Sequence, residues 1–285
     1  MIITGVWKDF FNNEIFLKAT QNKGGNTIRM AIEKVPFFGE HPTYLGLIAT
    51  INILISIFRI IENKNLNFII LLPIGLIGII ISGAKIAIIS FLIIIIILVI
   101  FKIRSKRNIF LVLFFILITT GLMLTSIPLL KNRFNEILVT KFEPPRGINY
   151  NSTNVRIAIL QCTFNTFKNS PIYGYGTGGS KAEMTNCYKQ YETDIFARNN
   201  NYFNSHNQYF SFAISFGIIG FLIFLSWLGW YVKAAIKFND ILLLVIIINF
   251  MLMFLTENLL ERQTGNVLFS FLLPLLYKYN LQKNV

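Results

Sequence analysis

Charge is scarce in this sequence. Only 14% of the 285 residues are Asp, Glu, Lys or Arg, where a soluble domain carries about a quarter, which argues against an ordinary soluble globular domain. Acids are scarcer than bases, 13 against 26. There are two histidines and two cysteines. No Cys-x-x-Cys, His-Glu-x-x-His, Walker or Gly-x-Ser-x-Gly pattern occurs, so the common metal, nucleotide and hydrolase signatures have nothing to attach to. Residues 1–40 hold no uninterrupted apolar stretch of the length a secretory signal needs, being broken at Lys8, Asp9 and Lys18. In place of charge there is hydrocarbon: 54% hydrophobic residues and a mean hydropathy of +0.59.

The net charge of +13 would suit nucleic acid in a soluble chain. In an apolar chain, basic residues instead hold loops on the cytoplasmic side, so a membrane partner is expected and nucleic acid is not. A membrane helix needs about 20 mostly apolar residues to cross about 30 Å of hydrocarbon. The first candidate span runs from Pro42 to about Ile61. The apolar stretch from Leu66 to Phe101 is too long for one crossing and must fold back at Ser82-Gly83, before Lys85. Further spans are predicted at about Ile109–Ile127, Asn207–Val232, Ile241–Thr256 and Asn266–Tyr279. Alternate connections carry Arg59 and Lys64, then Lys102, Arg104, Lys106 and Arg107, then Lys233 and Lys237, then Lys278 and Lys283, against only Glu62 and Asp240. All four fall on one side, which is therefore cytoplasmic.

The expected architecture is an all-α integral membrane protein with about seven transmembrane helices and one large extracytoplasmic loop carrying short helices. Residues 1–41 form an extracytoplasmic N-terminal segment, 42–130 the first four spans, 131–206 the loop, 207–279 the last three spans and 280–285 a cytoplasmic tail. The N-terminal segment carries five basic and four acidic residues and no preceding span to carry it across. The chain is accordingly expected to be the C-terminal part of a longer protein, or a shortened relative of one.

The loop is too long to be structureless. A helix is predicted over Asn154–Asn169, with Asn154 as cap and Arg156 at its start. Ile157, Leu160, Phe164 and Phe167 form an apolar stripe, suited to lying on the membrane surface or packing on the bundle. Beyond Ser170-Pro171, glycines punctuate Pro-Ile-Tyr-Gly-Tyr-Gly-Thr-Gly-Gly. Gly174 and Gly176 can let backbone amides approach a phosphate, or simply make a flexible turn. Asn204 or Ser205 can cap the next span, placing His206 in its first turn, where the helix dipole favours neutral imidazole and so a general base. The plain alternative is an interfacial histidine without chemistry. Lys85, Arg156, Arg262 and Glu257 are expected at the same outer level, where cations suit an anionic, lipid-linked phosphate or diphosphate; each could equally snorkel to the surface. Cys162 and Cys187 share the loop, as a disulfide or as two free thiols. There is no clear metal cluster.

Four pieces of the loop region stand in a telling order: Arg156-Ile-Ala-Ile-Leu, Asn169-Ser-Pro-Ile-Tyr-Gly-Tyr-Gly-Thr-Gly, His206-Asn-Gln-Tyr-Phe and Gly217-Ile-Ile-Gly-Phe. With His41-Pro-Thr-Tyr-Leu-Gly and Ser82-Gly-Ala-Lys85 upstream, the chain from His41 to Gly265 resembles the O-antigen ligase and polymerase superfamily. The resemblance implies a metal-independent, inverting, GT-C-like glycosyltransferase without cofactor in the bacterial inner membrane, its site facing the periplasm. Its donor would be an undecaprenyl diphosphate-linked glycan. Its acceptor would be lipid A-core for a ligase or a growing glycan for a polymerase. It further implies His206 as base and Lys85 and Arg156 as diphosphate ligands. From the residues themselves, Arg262 is a third candidate cation, with Asn207, Glu257, Gly174 and Gly176 in support. Two departures stand out: Lys85 replaces an arginine, losing the bidentate fork, and the family's dozen or so spans are not all present. A lipid-linked glycan transporter, or a non-catalytic partner in glycan assembly, are the rival readings.

Overall fold

The structure, a computed structural model, describes residues 39–148, 150–197 and 203–283. Most of the expected N-terminal segment and the last two residues of the expected tail lie outside the described residues. Among the described residues the regular structure is helical. The chain divides into two compact units, one ending at Asn135 and the other beginning at Glu136.

In the first unit, α1 (Pro42–Asn63) opens with proline at its start and stops where Lys64 turns left-handed. A 3-10 turn, Leu66–Ile70, leads into α2 (Leu71–Ser82). Gly83, at φ 53°, ends α2 and reverses the chain into α3 (Lys85–Lys102), the fold-back predicted from span length. Small residues let these helices approach closely: a Cβ on Gly75 would come within 2.4 Å of Ile53, and one on Gly46 within 2.6 Å of Ala87. Ala49, Ile53, Ile79 and Ile88 form the core with Leu130. Next, α4 (Lys106–Ser126) leaves Phe110, Phe115 and Leu117 exposed, as a helix facing hydrocarbon does. The division between units falls within α5 (Pro128–Val139).

The second unit continues with α6 (Ser152–Asn169), α7 (Gly176–Tyr188), the short α8 (Asp194–Ala197), α9 (Gln208–Lys237), α10 (Ile241–Met253) and α11 (Gln263–Lys283). Asn151 caps α6, three residues earlier than expected. Asn154 instead sits inside, its side chain accepting from the Asn151 amide to complete a capping box. The Glu136 carboxylate receives the Ser152 and Thr153 hydroxyls at the same helix end. Arg156 therefore lies a full turn into the helix, exposed.

Of the predicted stripe, Phe167 packs against the cluster α6 buries, and the rest of that buried face lies elsewhere. Val155, Ile159 and Cys162 pack with Met184, Tyr188 and Ile214, while Leu160 and Phe164 are exposed. Cys162 and Cys187 are joined as a disulfide linking α6 to α7. Loop entropy for a 25-residue separation assigns it about 3.5 kcal/mol. Reductant, or serine at both cysteines, is therefore expected to lower the thermal midpoint of the detergent-solubilised chain; an unchanged midpoint would mean that the apolar packing holds α6 to α7 unaided. Nearby, the Tyr191 hydroxyl donates to Gln161 at 2.8 Å. Burial pushes that phenol above its ordinary range, with the Gln190 side chain drawing it partly back.

By length and composition, four helices among the described residues can cross a membrane: α1, α3, α4 and α9. The stretch Leu66–Ser82 and α10 are apolar but shorter. α11 has 21 residues, with Pro274 inside it, and is less apolar. It is helical through residues 280–283, where the tail was expected, and Asn280 is buried against Asp240, the N-cap of α10.

Candidate active site

The α9 entry is built differently from the expectation. Asn207 is the cap, its side chain accepting from the Phe210 amide at 3.0 Å. His206 stands one residue outside the helix with φ 45°, so the dipole argument for neutral imidazole, which needed the first turn, loses its geometric basis. A left-handed non-glycine residue costs about 1–3 kcal/mol unless its surroundings hold it. Here they do. The His206 amide donates to Asn204 Oδ1 at 3.1 Å, and both neighbours are tied to the link between α10 and α11.

That link supplies what holds the turn. Asn258, 1% exposed, accepts at Oδ1 from the Asn207 amide (2.7 Å) and the Ser205 hydroxyl (3.1 Å). Its Nδ2 donates to Glu261 at 2.6 Å. Glu261 also receives the Ser211 hydroxyl at 2.5 Å and the Asn204 amide group at 3.3 Å. Backbone completes the seam: the Gln208 amide donates to Phe254 O at 2.8 Å, and Gln208 Oε1 accepts from the Leu260 amide at 2.8 Å. Hydrogen bonds to charged groups contribute about 1.5–3 kcal/mol and neutral ones about 0.5–1.5, so the two links are fixed in register. Sequence reasoning missed Asn258 and Gln208 because an uncharged amide in an apolar chain gives no signal of its own. Glu257, charged at the edge of an apolar helix, did give one.

Against this frame His206 Nδ1 lies 3.6 Å from Glu257 Oε1. That is a charge-pair distance, longer than a hydrogen bond. The glutamate side chain is 3% exposed and the imidazole 25%. The two groups are neighbours without a hydrogen bond between them, and the imidazole keeps a partly exposed edge.

The glycine turn is elsewhere and does something else. At Gly217, ten residues into α9, the backbone leaves the helix (φ 64°, ψ −165°). The turn after Pro171 fits into the break. The Tyr175 amide donates to Ile214 O at 3.0 Å and the Ile218 amide to Pro171 O at 2.8 Å, replacing the helical bond that would join Ile218 to Ile214. A Cβ on Gly174 would meet the backbone of Ser215–Gly217 within 2.6 Å. Gly174 thus seats one backbone against another, leaving no room there for a phosphate, and lies about 15 Å along the helix from His206. Gly176 has φ 71° and open space around its would-be Cβ.

The structure therefore brings together His206, Asn207 and Glu257, with Arg262 closing the 3-10 turn (Leu259–Glu261) in the same link. Arg156 is in the same unit, on a helix whose buried face packs with Ile214 of α9. Lys85 opens α3 in the first unit. Among the described residues no group of His, Cys, Asp and Glu is arranged to hold a metal ion.

A family model described as O-antigen ligase matches residues 68–225, more than half of the chain. The chain belongs to the O-antigen ligase family. No curated protein matches it. The family region of this O-antigen ligase relative takes in Lys85, Arg156, the docked glycine turn and His206, and ends before Glu257 and Arg262. Glu257, Asn258 and Glu261, which neighbour the histidine's turn, thus lie beyond the matched region.

Proposed function

We propose that this family member transfers a glycan from undecaprenyl diphosphate to an acceptor hydroxyl of lipid A-core at the periplasmic face of the bacterial inner membrane. The observation that carries the reading is the imidazole of His206, partly exposed, backed by buried Glu257 and set in a turn that Asn258 and Glu261 hold. In the reaction the acceptor oxygen attacks the anomeric carbon as His206 Nε2 takes its proton. The bond from that carbon to the phosphate oxygen breaks, and the lipid diphosphate leaves with the electron pair. A single displacement of this kind inverts the anomeric centre. Arg156 and Arg262 are assigned to the diphosphate, whose growing charge they would neutralise. The distribution of basic connections supports an extracytoplasmic loop over residues 131–206. A disulfide in that loop suits an oxidising compartment.

Membranes from cells lacking the native gene and carrying this chain should convert a lipid-linked glycan into lipid A-linked product on a gel. A ladder of lengthened, lipid-linked glycan instead would identify a repeat-unit polymerase. Neither product, with the chain present in the membrane, would overturn the enzyme reading in favour of a transporter or a non-catalytic partner.

A further inference from the structure

Helix α9 is too long for the bilayer it crosses. Its 30 residues span about 45 Å, against about 30 Å of hydrocarbon. The segment from Ile218 to Val232, ahead of Lys233 and Lys237, reaches about 22 Å, most of the hydrocarbon. Side-chain exposure marks the same division. Between Gln208 and Ser215, Ala213, Ile214 and Ser215 are buried. From Phe216 onward the helix shows large apolar groups outward, among them Ile218, Ile219, Leu222 and Ile223. By length and exposure the break at Gly217 lies near the edge of the hydrocarbon, on the side of the helix's N-terminal end.

The loop is fastened to the helix at that level. Hydrogen bonds from Tyr175 to Ile214 and from Ile218 to Pro171 hold the turn between them against the break, and the tip residues Ile172 and Tyr173 are exposed, Tyr173 at 77%. Immediately before the turn, α6 presents Leu160 and Phe164 on the face opposite its packed one. Lys168 stands over the Phe164 ring, 4.5 Å from its centroid, one turn along the same face. Exposed apolar groups in such continuity, rimmed by a cation, mark an interaction surface. Aromatic groups with a polar tip and lysines with a long apolar stem favour the headgroup region.

We infer that α6 and the Ile172-Tyr173 tip form a membrane-contact surface, in which the outward face of α6 lies in the headgroup region of the adjacent leaflet and the tip enters its acyl boundary beside Phe216. The occupant is the lipid of the bilayer that α9 crosses, because the tip is hydrogen-bonded to that helix where its lipid-facing side chains begin. Lys168 then reaches the lipid phosphates. The surface anchors the loop at the leaflet independently of any transfer chemistry.

The test uses the full chain with its disulfide intact, reconstituted into phosphatidylcholine–phosphatidylglycerol liposomes. Nitroxide labels are attached at Phe164→Cys, Tyr173→Cys and, as the water-facing comparison on α7's flank, Lys189→Cys. Collision with oxygen, which partitions into lipid, is compared with collision with a water-soluble nickel chelate. Labels at 164 and 173 are expected to favour oxygen several-fold, and the label at 189 the chelate. A chelate-dominated reading at either 164 or 173 overturns the inference. Shielding from both reagents at those positions also overturns it, since protein would then cover the face. Leu160→Cys repeats the lipid-side reading at an independent position, should one variant fail to fold.

Discussion

Replacing His206 with alanine is expected to lower glycan transfer by about two to four orders of magnitude, the usual contribution of a positioned general base, at unchanged chain level in the membrane. The fold should survive because the turn is held by its neighbours. Asn204, Ser205 and Asn207 make the bonds to the α10–α11 link, and His206 contributes only its backbone amide to Asn204. At φ 45° alanine adopts the left-handed region less readily than histidine or asparagine, which invites a structural explanation of any loss. His206→Asn removes it: asparagine tolerates the left-handed region, keeps a polar side chain and cannot act as a base. Equal loss in both variants, measured as product per unit of chain in isolated membranes, identifies the imidazole as the operative group. Activity near wild type in His206→Asn would remove the histidine from the mechanism. Glu257→Gln should fall between, because it preserves shape beside the imidazole while deleting the neighbouring charge. A loss in Glu257→Gln equal to that of His206→Ala would point to Glu257 itself as the group that meets substrate.

The parts of this molecule legible in its sequence are those set by one-dimensional rules. A 36-residue apolar run cannot be one span, and only Ser82-Gly83 could turn it, so the fold-back and the start of α3 at Lys85 followed from length. Caps were harder. Asn151 and Asn154 obey the same preference, and only the reciprocal bond between them decides which is outside. In Asn204-Ser205-His206-Asn207 three residues could cap α9. Asn207 wins because Asn258, 51 positions away, pins its amide. The stripe on α6 was legible as apolar, but whether it met the membrane surface or the bundle was not, since that helix has two apolar sides and periodicity does not say which one meets the core. The glycines gave the location of a special backbone but not its partner, which is another special backbone in α9.

That partnership makes Gly217→Ala the most disruptive small substitution in the second unit. At φ 64° and ψ −165° the backbone is in a region reserved in practice for glycine, at about 1–3 kcal/mol for any other residue. The added Cβ would stand 1.9 Å from Ile172 O and 2.2 Å from Ile172 C. Neither atom can rotate aside, as a side chain could, so overpacking adds about another 1–3 kcal/mol. The chain has one escape: α9 can close its own ladder through residue 217, restoring the bond from Ile218 to Ile214. The Tyr175 amide and Pro171 carbonyl then lose their partners, and the turn is expelled. Proteolysis of the solubilised chain should consequently cut the 170–176 turn much faster in Gly217→Ala than in wild type. Glycan transfer should fall with it, because the outer end of α9, which carries His206, would change direction relative to the part in the membrane. Gly176→Ala is the matched comparison: its φ is 71°, yet nothing lies within 4 Å of the new Cβ. It should cost about 1–2 kcal/mol and leave the turn seated. If the two variants were cut at the same rate, φ alone would explain Gly217, and the docking of turn into broken helix would carry no energy.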